Sequence, residues 1–305
     1  MPAPRPPIDA GPELRGRLLH DEPLARYTTW GVGGPARRFY EPADIDDLAV
    51  FLRGLPADEA LLWVGLGSNL LVRDGGVRGT VIATAGLLNG IEQSDATTVR
   101  VEAGVSCAKV ARFCSRLGLT GAEFLAGIPG TMGGALAMNA GAFGGETWPL
   151  VVQVETLNRH GRLRVRVPGE YQIGYREVHG HADEWFVAAT LRLQPGDTAA
   201  ASARIRELLD RRAASQPTQQ PNAGSVFRNP PGDHAARLIE SCGLKGTCVG
   251  AACVSEKHAN FIVNTGDATA ADIEALMAQV AATVERERGI RLLAEVHIVG
   301  EGNGG

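Results

Sequence analysis

The stretch GAEFLAGIPGTMGGALAMNAGAFGGE, residues 121–146, decides how the rest of the chain can fold. Glycine and alanine dominate it, a single asparagine, Asn139, interrupts it, and almost none of it is charged. Such a sequence is a poor helix former and too apolar for an ordinary solvated loop. Because glycine lets a backbone approach closely and adopt positive φ, we expect the stretch to lie against a bulky, phosphate-bearing ligand and to offer it N–H groups. A tight seam of small residues between two sheets is the alternative that the residues leave open.

Length and composition indicate a globular protein of two or three domains. The chain has 305 residues, of which 44% are hydrophobic and 21% charged, and no apolar run approaches the roughly 20 residues that span a bilayer. Its net charge of −4 argues against nucleic acid, which binds basic faces. The proline-rich opening lacks the basic and apolar regions of a signal peptide. We therefore expect a flexible tail over residues 1–20 and a cytoplasmic protein that does not enter the membrane.

The cysteines indicate neither a disulfide framework nor a metal site. Their number is odd, no CxxC spacing occurs, and reduced thiols are the usual state in a reducing compartment. His179 and His181 are interpreted as loop histidines rather than metal ligands. We therefore predict free thiols and no bound metal. The five cysteines are Cys107, Cys114, Cys242, Cys248 and Cys253.

The order of helical and strand patterns predicts an α+β fold rather than a regular βαβ alternation. A composition shift at residues 195–197 marks a domain boundary, beyond which a compact α/β unit is expected. Helices are predicted at residues 44–55, 106–118, 198–214, 234–242 and about 270–288. Strands are predicted at residues 36–42, 80–84, 90–93, 98–103, 150–157, 163–167, 185–193, 261–264 and 291–300.

Two glycine-containing segments precede the central stretch. Gly31, Gly33 and Ala36 satisfy the pattern GxGxxG/A, but a dinucleotide fingerprint follows a buried strand and opens a helix, and neither context is present. Residues 65–69, GLGSN, join two apolar strand patterns. Such a turn can point N–H groups and a hydroxyl at a phosphate, or it can simply close a hairpin. No GKS or GKT follows, which excludes a P-loop.

Three reactive side chains lie among small or apolar neighbours: Arg176, Ser225 and Glu295. Arg176 follows Gly174-Tyr175 in a turn-rich segment, where it is either a surface cation or a fork for a carboxylate. Glu295 interrupts an apolar strand pattern, and alternation favours solvent over a cleft in which its pKa would be raised. Sequence spacing cannot show whether the three meet.

Eight pieces of the sequence resemble the UDP-N-acetylenolpyruvoylglucosamine reductases, the MurB family of flavoenzymes in early peptidoglycan synthesis. They occur in the order of the family and span nearly everything between residues 27 and 300. The pieces are TTWGVGGPA (28–36), GLGSNLLV (65–72), GIPGTMGGALAMNAGAFGGE (127–146), GYR (174–176), NAGSVFRNP (222–230), GLKG (243–246), VSEKHANFIVN (254–264) and AEVHIVG (294–300).

The resemblance implies the domain organisation. An FAD-binding region of the vanillyl-alcohol-oxidase (PCMH) type, made of two α+β subdomains, is followed by a C-terminal α/β substrate-binding domain. We place the FAD-binding region at residues 21–197, with subdomains of about 21–90 and 91–197, and the substrate-binding domain at residues 198–305.

The resemblance also implies the ligands. FAD is held without a covalent bond, NADPH is the co-substrate, and UDP-N-acetylglucosamine enolpyruvate is the substrate of a cytoplasmic monomer whose product serves cell-wall synthesis, cell shape and division. Positions matching the family's cofactor-binding segments are Gly65, Gly67, Ser68, Asn69, Gly127, Gly130, Thr131, Gly133, Gly134, Asn139 and Gly141. Positions matched to substrate binding are Tyr175, Arg228 and Asn229.

In the implied reaction, NADPH reduces FAD, a hydride passes from flavin N5 to C3 of the enolpyruvyl group, and a proton is added at C2 to give UDP-N-acetylmuramate. Arg176 and Glu295 match the residues that stabilise the developing enolate charge. Ser225 matches the proton donor to C2, a role that its high pKa permits only toward a strongly basic centre.

The sequence departs from the family at two places and leaves two rival functions open. Residues 177–180, EVHG, differ from the usual continuation after GYR, and the chain lacks the longer insertion that carries a substrate-covering tyrosine, so it resembles the shorter branch. The rivals are another flavin oxidoreductase of the same fold, acting on an alcohol or hydroxy acid, and a non-catalytic flavin-binding protein.

Overall fold

The N-terminal unit is a four-stranded sheet with one helix packed on it. A computed structural model describes residues 14–302. In the sheet, ordered β1-β2-β5-β3, β1 pairs antiparallel with β2, and β2 and β3 both pair parallel with β5. The strands of this part of the chain are β1 (Arg17–Pro23), β2 (Pro35–Glu41), β3 (Leu61–Val64), β4 (Leu70–Val72) and β5 (Val77–Ala83).

Helix α1 (Ile45–Arg53) begins where predicted because the Asp44 side chain accepts a hydrogen bond from the Asp47 N–H at 2.8 Å. Its buried face includes Phe51, whose ring stacks on Tyr40 of β2 with centroids 3.7 Å apart. Strand β1 corrects one prediction, since residues 17–20 of the expected tail belong to this sheet. Residues 1–13 of that tail lie outside the described residues.

The second unit is a five-stranded antiparallel sheet, ordered β12-β11-β15-β7-β6. Its long central strands, β11 and β15, carry buried apolar residues such as Val154, Ala189 and Leu191. Three further pairs, β8 with β16, β9 with β10 and β13 with β14, form separate two-stranded sheets. The strands of this part of the chain are β6 (Ile91–Gln93), β7 (Thr98–Glu102), β8 (Leu119–Thr120), β9 (Gly141–Ala142), β10 (Gly145–Glu146), β11 (Val151–Asn158), β12 (Leu163–Arg166), β13 (Gln172–Gly174), β14 (Glu177–His179), β15 (Glu184–Arg192) and β16 (Gln194–Pro195).

Three helices cover this sheet. Helix α2 (Cys107–Arg116) is capped by Ser106 as predicted. The glycine stretch contains a short helix, α3 (Met132–Ala137), because burial of Met132 and Leu136 outweighs its low helix propensity. Helix α4 (Thr198–Ser215) contributes Ile205 to the same hydrophobic core as α2, so it packs on the preceding unit. The predicted boundaries at residues 90 and 197 stay predictions.

The C-terminal unit combines a three-stranded antiparallel sheet with two helices. Sheet order is β17-β18-β19, formed by β17 (Cys248–Val249), β18 (Ala252–Val254) and β19 (Ile262–Asn264). Helix α5 (Ala235–Ser241) and the long α6 (Ala270–Arg288) pack on it. Thr269 and Asp272 form a capping box at the start of α6. The helix Ala270–Arg288 confirms the predicted 270–288.

Two strands and a tryptophan join this unit to the first one. Strand β20 (His297–Val299) pairs in parallel with β4. The Trp30 indole N–H donates to the Ile262 carbonyl at 2.7 Å, and the Asn264 amide donates to the Trp30 carbonyl at 3.0 Å. The segment of Gly31, Gly33 and Ala36 therefore leads into β2 and helps to seat the C-terminal unit, and no helix follows it. The dinucleotide fingerprint is thus not formed.

One alternative is excluded and one prediction is wrong. Strands β3 and β4 do not form a hairpin, because β3 pairs with β5 whereas β4 pairs with β20. Cys248 and Cys253, predicted to be free thiols, form a disulfide between β17 and β18. No helix within residues 14–302 is long and apolar enough to cross a membrane.

Candidate active site

One large cavity, of about 590 Å³, opens where the three units meet. We call it the central cavity. Residues 62–70 line it from the first unit, most of residues 127–143 from the second, and residues 223–225 with Glu295, His297 and Val299 from the third. Arg176, Ser225 and Glu295 all line it. The structure therefore brings together the three reactive side chains that sequence spacing could not connect.

The turn at residues 65–69 lines this cavity and contains unpaired backbone donors. None of the described residues accepts a hydrogen bond from the N–H groups of residues 66–69. Gly67 has φ +65°, and a Cβ there would lie 2.0 Å from the Tyr27 carbonyl oxygen, so only glycine fits. A run of free N–H groups in a turn is the arrangement that binds phosphate.

The glycines of the central stretch divide into two kinds. A Cβ at Gly127 would lie 2.4 Å from the Phe143 ring, one at Gly133 would lie 2.9 Å from the Ala103 Cβ, and one at Gly141 would lie 2.5 Å from the Gly145 oxygen. These three permit close packing. Gly130 and Gly134 line the cavity, and a Cβ there would approach described atoms no closer than 3.5 Å and 3.9 Å. The two alternatives of the sequence analysis therefore apply to different glycines.

Thr131 supplies a buried hydroxyl that lacks a partner. Its Oγ1 is fully enclosed, lines the cavity, and has no hydrogen-bond partner among the described residues. A Cβ at Gly65 would lie 2.4 Å from that oxygen, so the hydroxyl has room in this position only because residue 65 is glycine. Buried polar atoms are normally paired, and an orphaned hydroxyl beside free N–H groups indicates a polar ligand.

Arg176 is presented by a tight hairpin. Strands β13 and β14 pair on either side of Tyr175-Arg176, and Arg176 itself has φ +58°. Its Nη2 donates to the Gly141 carbonyl at 3.0 Å, and its Nε lies 3.0 Å from Glu295 Oε1. That second contact is an ion pair without an aligned hydrogen bond, because the Nε–H has no acceptor in line with it. The guanidinium is therefore held in place with donor capacity to spare.

Glu295 faces the cavity and not the solvent, which corrects the expectation from alternation. Only 14% of its side chain is exposed. Burial raises the pKa of the Glu295 carboxyl above its usual range, although Arg176 and Arg228 act to lower it. The carboxyl can therefore hold a proton closer to neutral pH than an exposed glutamate can.

Ser225 is aligned with Glu295 by backbone pairing. The Glu295 N–H donates to the Val226 carbonyl at 2.8 Å, and the Arg228 N–H donates to the Leu293 carbonyl at 2.9 Å. The Asn260 amide brackets Phe227 from the other side, accepting from its N–H at 3.0 Å and donating to its carbonyl at 2.8 Å. The segment that carries Ser225 is thus fixed on both sides.

Several predicted binding residues lie outside the cavity lining. Asn139 is buried, and its side chain bonds to Glu146, Gly174 and Trp148. Tyr175 is half exposed, with its ring against the Arg176 guanidinium at 5.3 Å. Asn229 is exposed, and its side chain accepts from the Ala235 N–H at the start of α5.

Arg228 is also absent from the cavity lining, and its Nη1 lies 3.4 Å from Glu177 Oε2. The binding roles predicted for Arg228, Asn139, Tyr175 and Asn229 stay predictions.

The structure adds residues that sequence reasoning did not single out. His297 lines the cavity two positions after Glu295, and its Nε2 lies 3.1 Å from the Met138 sulfur. Its period-two spacing from Glu295 was a signal that could have identified it. Asn260 stands inside the quoted piece VSEKHANFIVN, yet nothing local shows that it contacts Phe227. Residues 14–302 contain no group of three or more His, Cys, Asp or Glu side chains placed to hold a metal ion.

Comparisons with known proteins agree with this geometry. Residues 36–165 match the model of an FAD binding domain, and residues 216–299 match that of the UDP-N-acetylenolpyruvoylglucosamine reductase C-terminal domain. The UDP-N-acetylenolpyruvoylglucosamine reductase of Alkalilimnicola ehrlichii is 62% identical over 94% of this chain and 96% of its own, and that of Nitrosococcus oceani is 63% identical over 94% and 97%. The crystal structure of UDP-N-acetylenolpyruvylglucosamine reductase (MurB) from Thermus caldophilus is 35% identical, with a TM-score of 0.79 over 93% of this chain and 98% of that one. The chain therefore belongs to the UDP-N-acetylenolpyruvoylglucosamine reductase family.

Proposed function

We propose that this protein is an NADPH-dependent flavoenzyme that reduces UDP-N-acetylglucosamine enolpyruvate to UDP-N-acetylmuramate. The observation that carries the proposal is the convergence of Arg176, Ser225 and Glu295 on one cavity whose other wall is a glycine-lined cradle with unpaired N–H groups. A flavin-binding protein without catalysis has no need for that triad. A hydroxy-acid oxidase removes hydride from its substrate and has no need for a proton donor of the Ser225 kind.

The cradle fits FAD. The free N–H groups of residues 66–69 and the unpartnered Thr131 hydroxyl suit a diphosphate, and Gly130 and Gly134 leave room for a flat ring system. When bound, the flavin supplies the hydride that NADPH provides. In our proposal Gly65, Gly67, Ser68, Asn69 and Thr131 hold the nucleotide part, whereas Gly127, Gly133, Asn139 and Gly141 shape the wall by packing.

Arg176 and Glu295 prepare the substrate for reduction. An enol ether accepts hydride at C3 only when negative charge that develops toward its carboxylate is stabilised. The Arg176 guanidinium, held by the Gly141 carbonyl, offers positive charge at the cavity wall. Glu295, whose pKa is raised by burial, donates a hydrogen bond to the substrate when it carries a proton. Both interactions strengthen as charge develops, so they lower the barrier more than they tighten binding.

Ser225 then delivers the proton. Its hydroxyl has no hydrogen-bond partner among the described residues, and its segment is fixed by Val226 and Phe227. A free, positioned O–H can protonate a strongly basic C2 and so complete the lactyl ether. Arg228, close enough to Glu295 for its charge to lower the pKa of that carboxyl, supplies positive charge for the diphosphate of the substrate.

An anaerobic absorbance titration tests the proposal. The purified protein should show a flavin spectrum that NADPH bleaches and that UDP-N-acetylglucosamine enolpyruvate restores. Ser225→Ala should still be bleached by NADPH but should not form product. A flavin that the substrate cannot reoxidise in the wild type would refute the proposed substrate, and unchanged product formation by Ser225→Ala would refute the proton-donor role.

The cellular setting is part of the proposal. The product is a cell-wall precursor, so we expect the enzyme to act in the cytoplasm as a monomer and to support cell shape and division. Sedimentation at micromolar concentration tests the monomer, and depletion followed by rounding or lysis of cells tests the role in the wall.

A further inference from the structure

We propose that Cys248 and Cys253 form a reversible redox site on the C-terminal unit, one that exchanges with small thiols and braces the hairpin behind the Ser225 segment when oxidised. The two residues face each other across β17 and β18, with their Cα atoms 4.1 Å apart, and their sulfurs are bonded. Cys248 is exposed, and Cys253 is half-buried. The inference does not depend on the proposed activity.

The pair is accessible because it lines a second cavity of about 520 Å³, separate from the central one. Gln219, Gln220 and Lys257 line the same cavity. A thiol reagent can therefore reach a sulfur of the folded protein without opening the core. Accessibility to an attacking thiolate is what separates exchanging disulfides from inert ones.

The remaining cysteines do not share this chemistry. Cys107 and Cys114 are buried, and burial raises the pKa of each thiol to about 12. Burial, together with Glu287, also raises the pKa of Cys242. Thiolates are the reactive form of cysteine, so exchange should be confined to the disulfide-bonded pair.

The exchange step is balanced by a dithiol reductant. A thiolate of the dithiol attacks the exposed Cys248 sulfur, the S–S bond breaks, and Cys253 leaves as a thiolate that takes up a proton. The second thiol of the reagent then attacks the mixed disulfide, releases Cys248 as a thiol, and closes the reagent into a cyclic disulfide. Two electrons and two protons pass to the protein, and the reagent is oxidised by the same amount.

Oxidation of Cys248 and Cys253 affects the Ser225 segment because the β17–β18 hairpin supports that segment. The Gly246 N–H donates to the Val254 carbonyl, the Val254 N–H donates to the Thr247 carbonyl, and the Ser255 N–H donates to the Phe261 carbonyl. The loop that Ser255 and Phe261 close contains Asn260, whose amide holds Phe227 two residues from Ser225. The cross-link closes a short loop, with a sequence separation of 5, so it removes little entropy from the unfolded chain. Its effect is local, because it ties β17 to β18 at the paired positions 248 and 253.

Differential alkylation of the FAD-loaded, full-length protein tests the site. Under air, iodoacetamide should leave Cys248 and Cys253 unmodified; after dithiothreitol under native conditions, both should be alkylated, with Cys107 and Cys114 still protected. Removal of the dithiothreitol before alkylation, followed by oxidised glutathione, should restore protection. In Cys248→Ser, Cys253 should be alkylated without reductant, whereas Cys242→Ser should behave as the wild type.

Hydrogen exchange tests whether the disulfide stabilises the β17–β18 hairpin. Dithiothreitol should speed amide exchange at Gly246 and Val254, whose N–H groups donate across the hairpin, by about tenfold, on the scale of local opening, and should leave exchange in α6 unchanged. Two results would overturn the proposal: Cys248 and Cys253 remaining protected after dithiothreitol, or both being reduced with no change of exchange at Gly246 and Val254.

Discussion

Replacing Asn260 by alanine is the sharpest test of how the Ser225 segment is held. The side chain is buried, and it makes two hydrogen bonds to the backbone of Phe227, at 3.0 Å and 2.8 Å. In Asn260→Ala both Phe227 groups stay buried without partners, and each orphaned group costs about 1–3 kcal/mol. Some relaxation is expected, so we predict a loss of about 2–4 kcal/mol in the free energy of unfolding, within the 5–15 kcal/mol typical of a domain.

The same change should slow the reaction. Without the clamp on Phe227, the Ser225 hydroxyl is no longer held in one position, and small misplacements of a reacting group are costly, so kcat should fall about tenfold or more. The assays are urea unfolding of the purified protein, and turnover at saturating FAD with NADPH oxidation followed by absorbance. Flavin reduction by NADPH in the absence of the enolpyruvyl substrate should remain near the wild-type rate.

Asn264→Ala is the matched control. Asn264 is also a buried asparagine of the C-terminal unit, but its amide donates to the Trp30 carbonyl and accepts from Gly266 and Ala268. It should lose a similar amount of stability and keep its kcat once saturated with FAD. A kcat loss in Asn264→Ala as large as in Asn260→Ala, or a stability loss below about 0.5 kcal/mol in Asn260→Ala, the range of a surface substitution, would refute the reasoning.

Three further predictions follow from buried polar groups. Glu295→Gln should lower kcat by about 10²–10³-fold. Because burial raises the pKa of Glu295 in the folded state, the wild type loses stability as the pH rises above the usual glutamate value, so urea unfolding should show the stability of the variant increasing relative to that of the wild type as the pH is raised. Although burial acts to raise the pKa of Glu59, hydrogen bonds from Arg38 and neighbours lower it to about 2, so Glu59→Gln should lose up to about 3 kcal/mol at pH 7, a difference that shrinks as pH falls from 4.5 toward 2. Thr131→Val should leave the apoprotein as stable as wild type, since its hydroxyl has no partner among the described residues, but should weaken FAD binding about tenfold in a fluorescence titration.

Elements with local signals could be predicted from the sequence. The ends of α6 follow from Thr269 at its start and from Gly289, in the left-handed conformation, just beyond its end. The start of α2 follows from Ser106. In such helices the periodic apolar face and the caps lie within one segment, so no distant contact is needed to place them.

Features set by distant partners could not. The sequence on either side of residues 65–69 is compatible with a hairpin. In the structure, however, β3 pairs with β5 and β4 pairs with β20, and both partners are distant in the sequence. Glu295 faces the cavity because the Arg176 hairpin and the Ser225 segment enclose it, and alternation along one strand carries no information about either. The disulfide likewise depends on the register of β17 against β18, which a count of cysteines does not reveal.

The central stretch shows how one glycine-rich sequence serves two physical demands at once. At Gly127 and Gly133 the missing side chain lets the backbone pack against Phe143 and Ala103, which fixes where the chain runs. That fixed path places the open faces of Gly130 and Gly134 on the cavity wall, where space rather than contact is required. Close packing at Gly127 and Gly133 therefore positions Gly130 and Gly134 where a ligand can approach them. The packing seam and the ligand-binding surface, which the sequence left open as alternatives, are both present in the same stretch.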